Sequence, residues 1–219
     1  MNKLIMISFT GLVISGCGRS IQEQRSNIDH TGLPNRNTQL ELPQYAAWVQ
    51  NEENDLVKNK TINDVNYQVA FLPVEFMAYT ELKHQEYTEQ QFKETKAHYA
   101  GMSYFKLRIE VKDHTGEILK YELSSAQQYN QRLDYMAFRM QNDLCIVQGK
   151  DTLYPGLYHF ERSYDLAPFA DVMLAFDNQK FHPEEEFTIV YNDQLFNKGY
   201  LKYIYHQKQL IDLPNIPNA

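Results

Sequence analysis

Cysteine is scarce in this chain: Cys17 and Cys145 are its two thiols in 219 residues. A disulfide framework, the usual staple of small exported domains, is therefore excluded. A membrane-crossing run of about 20 apolar residues is missing as well. There is no glycine-rich phosphate loop, no HExxH pair and no Gly-x-Ser-x-Gly elbow. Basic residues are in the minority: 21 lysines and arginines against 28 acids give a net charge of -7. Such a surface is repelled by nucleic acid phosphate and by anionic lipid headgroups, which argues against nucleic-acid binding and polybasic membrane attachment.

Apolar residues are not lacking. They make up 43 % of the chain, a globular level, and 219 residues are enough for one domain with a sizeable core. The first apolar stretch, Leu4 to Ile14, follows Lys3 and is broken by Ser8, Thr10 and Gly11. It is too short to span a bilayer and has the length of a secretory signal. Ile14-Ser15-Gly16-Cys17 comes next. A branched apolar residue, two small residues and a cysteine in this order resemble the lipobox of bacterial lipoproteins. The resemblance implies cleavage after residue 16 and a diacylglycerol thioether on Cys17, with acylation of the new amino group. Two or more acyl chains hold a protein stably at a membrane, at about 0.8 kcal/mol per buried CH₂. Gly18 follows the cysteine in place of aspartate, which favours the outer membrane or cell surface. Without residues 1–16, which hold Lys3 and no acid, 20 basic and 28 acidic residues leave -8. Residues 18–43 are polar without apolar period and are expected to form a flexible tether, with a single domain over 44–219.

Within that domain, alternation dominates and the expected fold is mainly β (α+β possible). An antiparallel β-sandwich or open barrel with one or two short helices fits best. Val65 to Phe71 and Phe105 to Val111 alternate cleanly. His114-Thr115-Gly116 reads as a hairpin turn, with Glu117 to Leu123 returning as a partner strand. Thr88-Glu89-Gln90-Gln91 and Ser125-Ala126-Gln127-Gln128 read as capping boxes. The first starts a helix that Gly101 stops. The second starts a short helix to about Gln131, followed by a strand to Met140. Further strands are expected over Leu144–Gln148, Leu153–Arg162 with a break at Pro155-Gly156, Val172–Phe176, Phe187–Tyr191 and Tyr200–Tyr205, with Asn192-Asp193 as punctuation.

The densest reactive-looking cluster is His159-Phe160-Glu161-Arg162. On a strand His159 and Glu161 share one face and Arg162 takes the other. A histidine beside a carboxylate suits proton transfer, so these two are the catalytic candidates of an envelope hydrolase; a structural ion pair, Glu161 with an arginine across the sheet, is the plainer alternative. Glu184-Glu185-Glu186 are adjacent acids, which cannot flank a substrate as paired glycosidase carboxylates must, and read as a solvated turn. Cys145 lies in the apolar run Leu144-Cys145-Ile146-Val147 and reads as an inert core thiol. Neither a metal set nor a cofactor motif is apparent. Tyrosine is abundant, 16 in all. Tyr154, Tyr158, Tyr200, Tyr203 and Tyr205 are candidates for a face that binds protein or glycan, since tyrosine combines apolar area with a polar tip, although strand packing also favours tyrosine. Asp151-Thr152-Leu153 is similar to a bacterial O-glycosylation acceptor, and Asn59-Lys60-Thr61 fits an N-glycosylation sequon. The functional expectation is a lipid-anchored, non-catalytic binding or assembly module of the cell envelope; the alternatives are a hydrolase around His159 and Glu161, or a structural subunit of an envelope complex. Replacement Cys17→Ser is expected to abolish acylation and release the protein from the membrane fraction, as read by metabolic labelling with palmitate and by fractionation. Undiminished membrane retention would contradict the anchor.

Overall fold

The computed structural model describes residues 34–217; the segment 1–16, Cys17 and the tether as far as residue 33 lie outside the described residues. Strand β2 (Val65–Leu72) alternates as read: Val65, Tyr67 and Val69 are buried, while Asn66 and Gln68 face outward. Strand β3 (Met102–Val111) does the same, with Phe105, Leu107, Ile109 and Val111 inward and Lys106, Arg108 and Glu110 outward. They pair antiparallel in a five-stranded sheet of order β1-β2-β3-β7-β6, completed by β1 (Val57–Ile62), β6 (Leu157–Glu161) and β7 (Phe169–Asp177). A second antiparallel sheet has the order β5-β4-β8-β9, from β4 (Leu144–Gln148), β5 (Asp151–Leu153), β8 (Phe187–Asp193) and β9 (Gly199–Tyr205). The sheets are open and pack face to face; they do not close into a barrel.

Aromatic residues fill the space between them. Phe105 of the first sheet meets Phe187 and Tyr205 of the second edge-on, with ring centroids 5.8 and 5.6 Å apart. The buried hydroxyls reach across the core: Tyr203 donates to the carbonyl of Tyr67 at 3.1 Å, and Tyr205 to those of Leu56 and Val69 at 3.1 and 3.0 Å. Each tyrosine thus buries a large apolar ring and still satisfies its polar tip. Pro155-Gly156 carries the chain from β5 in one sheet to β6 in the other, so the expected Leu153–Arg162 strand divides there.

Helices are more numerous than expected. Five occur among the described residues: α1 (Leu42–Val49), α2 (Val74–Leu82), α3 (Glu89–Tyr99), α4 (Ala126–Asp134) and α5 (Gln207–Ile211). The Thr88 capping box is formed, and α3 buries Phe92 and Thr95. The domain begins earlier than Pro43. Leu40 donates to the carbonyl of Asn215, Gln39 forms a bridge with Asn215, and Pro43 lies in the first turn of α1 where its missing N–H costs nothing. Two strand expectations are overturned. Glu117–Leu123 does not return beside β3, because both edges of β3 are occupied by β2 and β7; Ile118–Lys120 instead makes a 3₁₀ turn that buries Ile118 and Leu119. Residues 132–140 stay helical, because the helical spacing of Leu133, Met136 and Met140 places all three against the core, which a strand could not do.

Strand β1 escapes an alternation search for a physical reason. It is an edge strand whose inward positions include Lys58 and Lys60, paired opposite Val69 and Tyr67. Their ammonium groups lie 5.2 Å from the Tyr205 ring and 5.9 Å from the Tyr203 ring. Cationic tips over aromatic faces close the mouth of the sandwich and deter pairing with another chain.

Burial pushes the phenols of Tyr67, Tyr191 and Tyr205 well above the ordinary tyrosine value of 10.0, and the Asp193 carboxylate adds to the effect at Tyr67 and Tyr191. These groups stay neutral in the folded chain while their unfolded counterparts ionise, so their contribution is intact below pH 10 and is lost as the pH rises above it. Stability is expected to fall in alkali by up to about 1.4 kcal/mol per pH unit for each such tyrosine. The 295 nm phenolate absorbance of these residues should then rise in one cooperative step together with loss of circular dichroism. Gradual ionisation of every tyrosine with the fold retained would contradict this.

Candidate functional site

The residues singled out in the sequence do not come together. His159 and Glu161 sit on the outward face of β6 and are exposed, while Tyr158 and Phe160, which alternate with them, pack on the core. Neither has a hydrogen-bond or ion-pair partner among the described residues. The arginine across the sheet is not paired with Glu161: Arg108 makes a bidentate contact with Asp171, at 2.7 and 2.6 Å, and its guanidinium lies 3.6 Å over the Phe169 ring. Arg162 turns the other way, as expected, and donates to the Tyr129 hydroxyl at 2.7 Å beside the buried Glu117. Of the tyrosines, Tyr154 and Tyr200 are exposed. Tyr203 and Tyr205 are not: they are 1 % and 0 % exposed, and inward parity on β9 makes them core residues instead of a binding face. Tyr158 is half-buried, with its hydroxyl on the Met136 carbonyl. Cys145 is a half-buried free thiol whose pKa burial pushes up, which disfavours the reactive thiolate. Glu186 of the acidic run contacts His206 at 2.6 Å, exposed to solvent.

The polar centre of the molecule is a residue that reads in the sequence as turn punctuation. Asp193 ends β8 and is 1 % exposed. One carboxylate oxygen accepts from the Tyr191 hydroxyl at 2.9 Å and the backbone N–H of Leu195 at 3.0 Å. The other accepts from the Tyr67 hydroxyl at 2.8 Å and the N–H of Lys198 at 3.0 Å. The N–H of Phe196 is shared between them at 3.3 Å. Five groups donate and the carboxylate only accepts, so the set is matched. The clue in the sequence is parity: Asp193 continues the inward series Phe187, Ile189, Tyr191. The turn reading is also half right, since the bond to Leu195 is the local carboxylate-to-backbone contact that aspartate offers a turn.

The loop shaped by Asp193 forms one wall of a polar cleft of about 370 Å³. Gln194, Leu195 and Asn197 come from this loop; Gln128, Gln131 and Arg132 come from α4; Tyr135 and Arg139 come from the turn after it. That turn, Tyr135–Arg139, is a single turn of π-helix in which the N–H of Met140 reaches back to the carbonyl of Tyr135. Such turns widen a helix locally and are frequent at functional sites. Here the widening buries both Tyr135 and Met136 while leaving Arg139 at the cleft rim. Tyr135 ties the cleft floor to the second sheet through Asp143, at 3.1 Å, and Asp143 accepts in turn from Asn192 at 3.2 Å.

Arg132 is the most constrained cation in the cleft. Its Nη1 donates to the carbonyls of Leu119, at 3.0 Å, and Tyr121, and its guanidinium lies 5.2 Å from the Phe196 ring. Burial pulls its pKa down, partly opposed by Glu122. The cleft presents four amides, two guanidiniums, a phenol and a leucine, and its lining holds no carboxylate, imidazole, hydroxymethyl or thiol. This is a set that donates, accepts and carries guanidinium groups; its one group able to act as a nucleophile is the Tyr135 phenol, whose pKa burial pushes up and whose hydroxyl is bonded to Asp143, and it holds no carboxylate–imidazole relay. Among the described residues there is no cluster of three or more histidine, cysteine or acidic side chains placed to hold a metal, and no helix long and apolar enough to cross a membrane. No family model, curated protein or solved structure matches the chain.

Proposed function

We propose that this chain is a lipid-anchored, non-catalytic binding module of the bacterial cell envelope, with its ligand seat in the cleft between α4 and the Gln194–Asn197 loop. The observation that carries this reading is the character of the cleft walls. They are rich in groups that hold a polar ligand and poor in groups that transform one. The cleft volume is close to the lower end of small-ligand sites, about 300 Å³. Its two walls are pre-organised, one by helix α4 and the other by the five bonds to Asp193, so little ordering cost falls on binding.

The address comes from Ile14-Ser15-Gly16-Cys17, whose resemblance to a lipobox supports anchoring at Cys17 on the outer membrane or cell surface. The acidic composition supports attachment by lipid alone, since an acidic surface gains nothing from anionic headgroups. The partner on this reading is an envelope glycan or protein.

Incubation of the full-length chain with isolated envelope polymer tests the reading. The chain is expected to co-sediment with the polymer and to release no reducing ends or free amino groups. Turnover that disappears on His159→Ala or Glu161→Gln would overturn it in favour of a hydrolase.

A further inference from the structure

Arg132 leaves a charge unbalanced in the cleft. It is half-buried, its Nη1 is used on two backbone carbonyls, and it has no carboxylate partner among the described residues. Glu122 opposes the desolvation of this cation without contacting it, and an anion that binds directly beside it relieves the cost that remains. Its lowered pKa has the same origin. The neighbouring Arg139 is held at the rim by Asp134, with Nε 2.8 Å from the carboxylate, and by a long contact of 3.4 Å to the Gln131 carbonyl. Asp134 is not among the residues that line the cleft, so an anion that binds there competes with it for Arg139. The cleft lining thus carries two guanidiniums and no carboxylate, within a chain whose net charge is -7.

The remaining walls select among anions. Gln128 and Gln131 face the cleft from the helix, and Gln194 and Asn197 from the loop. An amide side chain both donates and accepts, which matches a sugar hydroxyl that does the same; the Gln128 oxygen already accepts from the Ser124 N–H and hydroxyl, so Gln128 offers its N–H groups. A planar guanidinium with two free N–H vectors matches a carboxylate. We infer that the cleft between α4 and the Gln194–Asn197 loop binds an acidic saccharide, taking the carboxylate of a uronic acid unit at Arg132 and Arg139 and its ring hydroxyls at the four amides. This rests on the reading of the cleft as a ligand seat, and it adds the ligand's charge and class.

The test titrates the full-length chain with a galacturonate tetrasaccharide, with the neutral galactose tetrasaccharide and with tetra-aspartate, followed by calorimetry and by the side-chain amide resonances of glutamine and asparagine. The galacturonate is expected to bind at least tenfold more tightly than the neutral sugar, to weaken with added salt, and to shift the amide resonances. Because Arg132→Gln also removes the bonds to Leu119 and Tyr121, the exposed Arg139→Gln and Gln131→Ala serve as the decisive variants. Each should weaken galacturonate binding at least threefold with the unfolding midpoint unchanged. Equal affinity for the neutral sugar would overturn the carboxylate assignment and leave the cleft as a saccharide seat. Equal affinity for tetra-aspartate would overturn the saccharide assignment. Absence of binding by all three probes, with the amide resonances unmoved, would overturn the ligand seat itself.

Discussion

The buried carboxylate of Asp193 stands where three parts of the molecule meet. Tyr67 brings the five-stranded sheet to it, Tyr191 brings the four-stranded sheet, and the N–H groups of Leu195, Phe196 and Lys198 bring the loop after β8. Removing a carboxylate from water costs several kcal/mol. The cost is offset only because five donors converge, each bond to a charged acceptor being worth about 1.5–3 kcal/mol. The two sheets would still attract one another through their apolar faces without this contact. What the contact adds is register and loop shape, and through the loop it fixes one wall of the cleft.

The abundance of tyrosine follows from the same arrangement. An aromatic core between two sheets needs large rings, and phenylalanine supplies several of them at Phe105, Phe176 and Phe187. Tyrosine is used where the ring tip meets a carbonyl or carboxylate that would otherwise be stranded, as at Tyr67, Tyr191, Tyr203 and Tyr205. The hydroxyls of Tyr67, Tyr203 and Tyr205 are therefore structural cross-ties between the sheets, while that of Tyr191 stays within β8. A second chain of contacts, from Tyr135 through Asp143 to Asn192, links the π-helical turn to β8, so both walls of the cleft are referred to one strand. On the proposed reading, that rigidity lets a ligand bind without reorganisation.

Much of this was legible in the residues. The alternating runs at Val65–Phe71 and Phe105–Val111 are the strands that form the centre of the larger sheet, and the Thr88 capping box is a real helix start. The illegible parts have definite causes. Strand β1 carries lysines at inward positions, so its pattern is polar on both faces. Residues 117–123 have strand-like composition, yet both edges of β3, their expected partner, are taken by β2 and β7. Tyr203 and Tyr205 differ from Tyr200 only in parity, which composition does not express, and parity alone decides which ring is core and which is exposed. The cleft is assembled from α4 and a loop some sixty residues further along the chain. No local motif joins Arg132 to Gln194; the contacts that bring their elements together, Arg132 with the Phe196 ring and Tyr135 through Asp143 to Asn192, appear only in the fold. His159 and Glu161, close in sequence and suggestive in type, are by contrast left on an exposed strand face with no side-chain partner among the described residues.

The dependence on Asp193 is tested most directly by a double-mutant cycle on the full-length chain, with Asp193→Asn and Tyr67→Phe made singly and together and stability read from denaturant unfolding. If the carboxylate and the Tyr67 hydroxyl act as one unit, each single replacement costs about 2 kcal/mol. The double replacement should then cost less than the sum of the two by about 1 kcal/mol or more. Additive costs, or an Asp193→Asn variant as stable as the parent, would contradict the account.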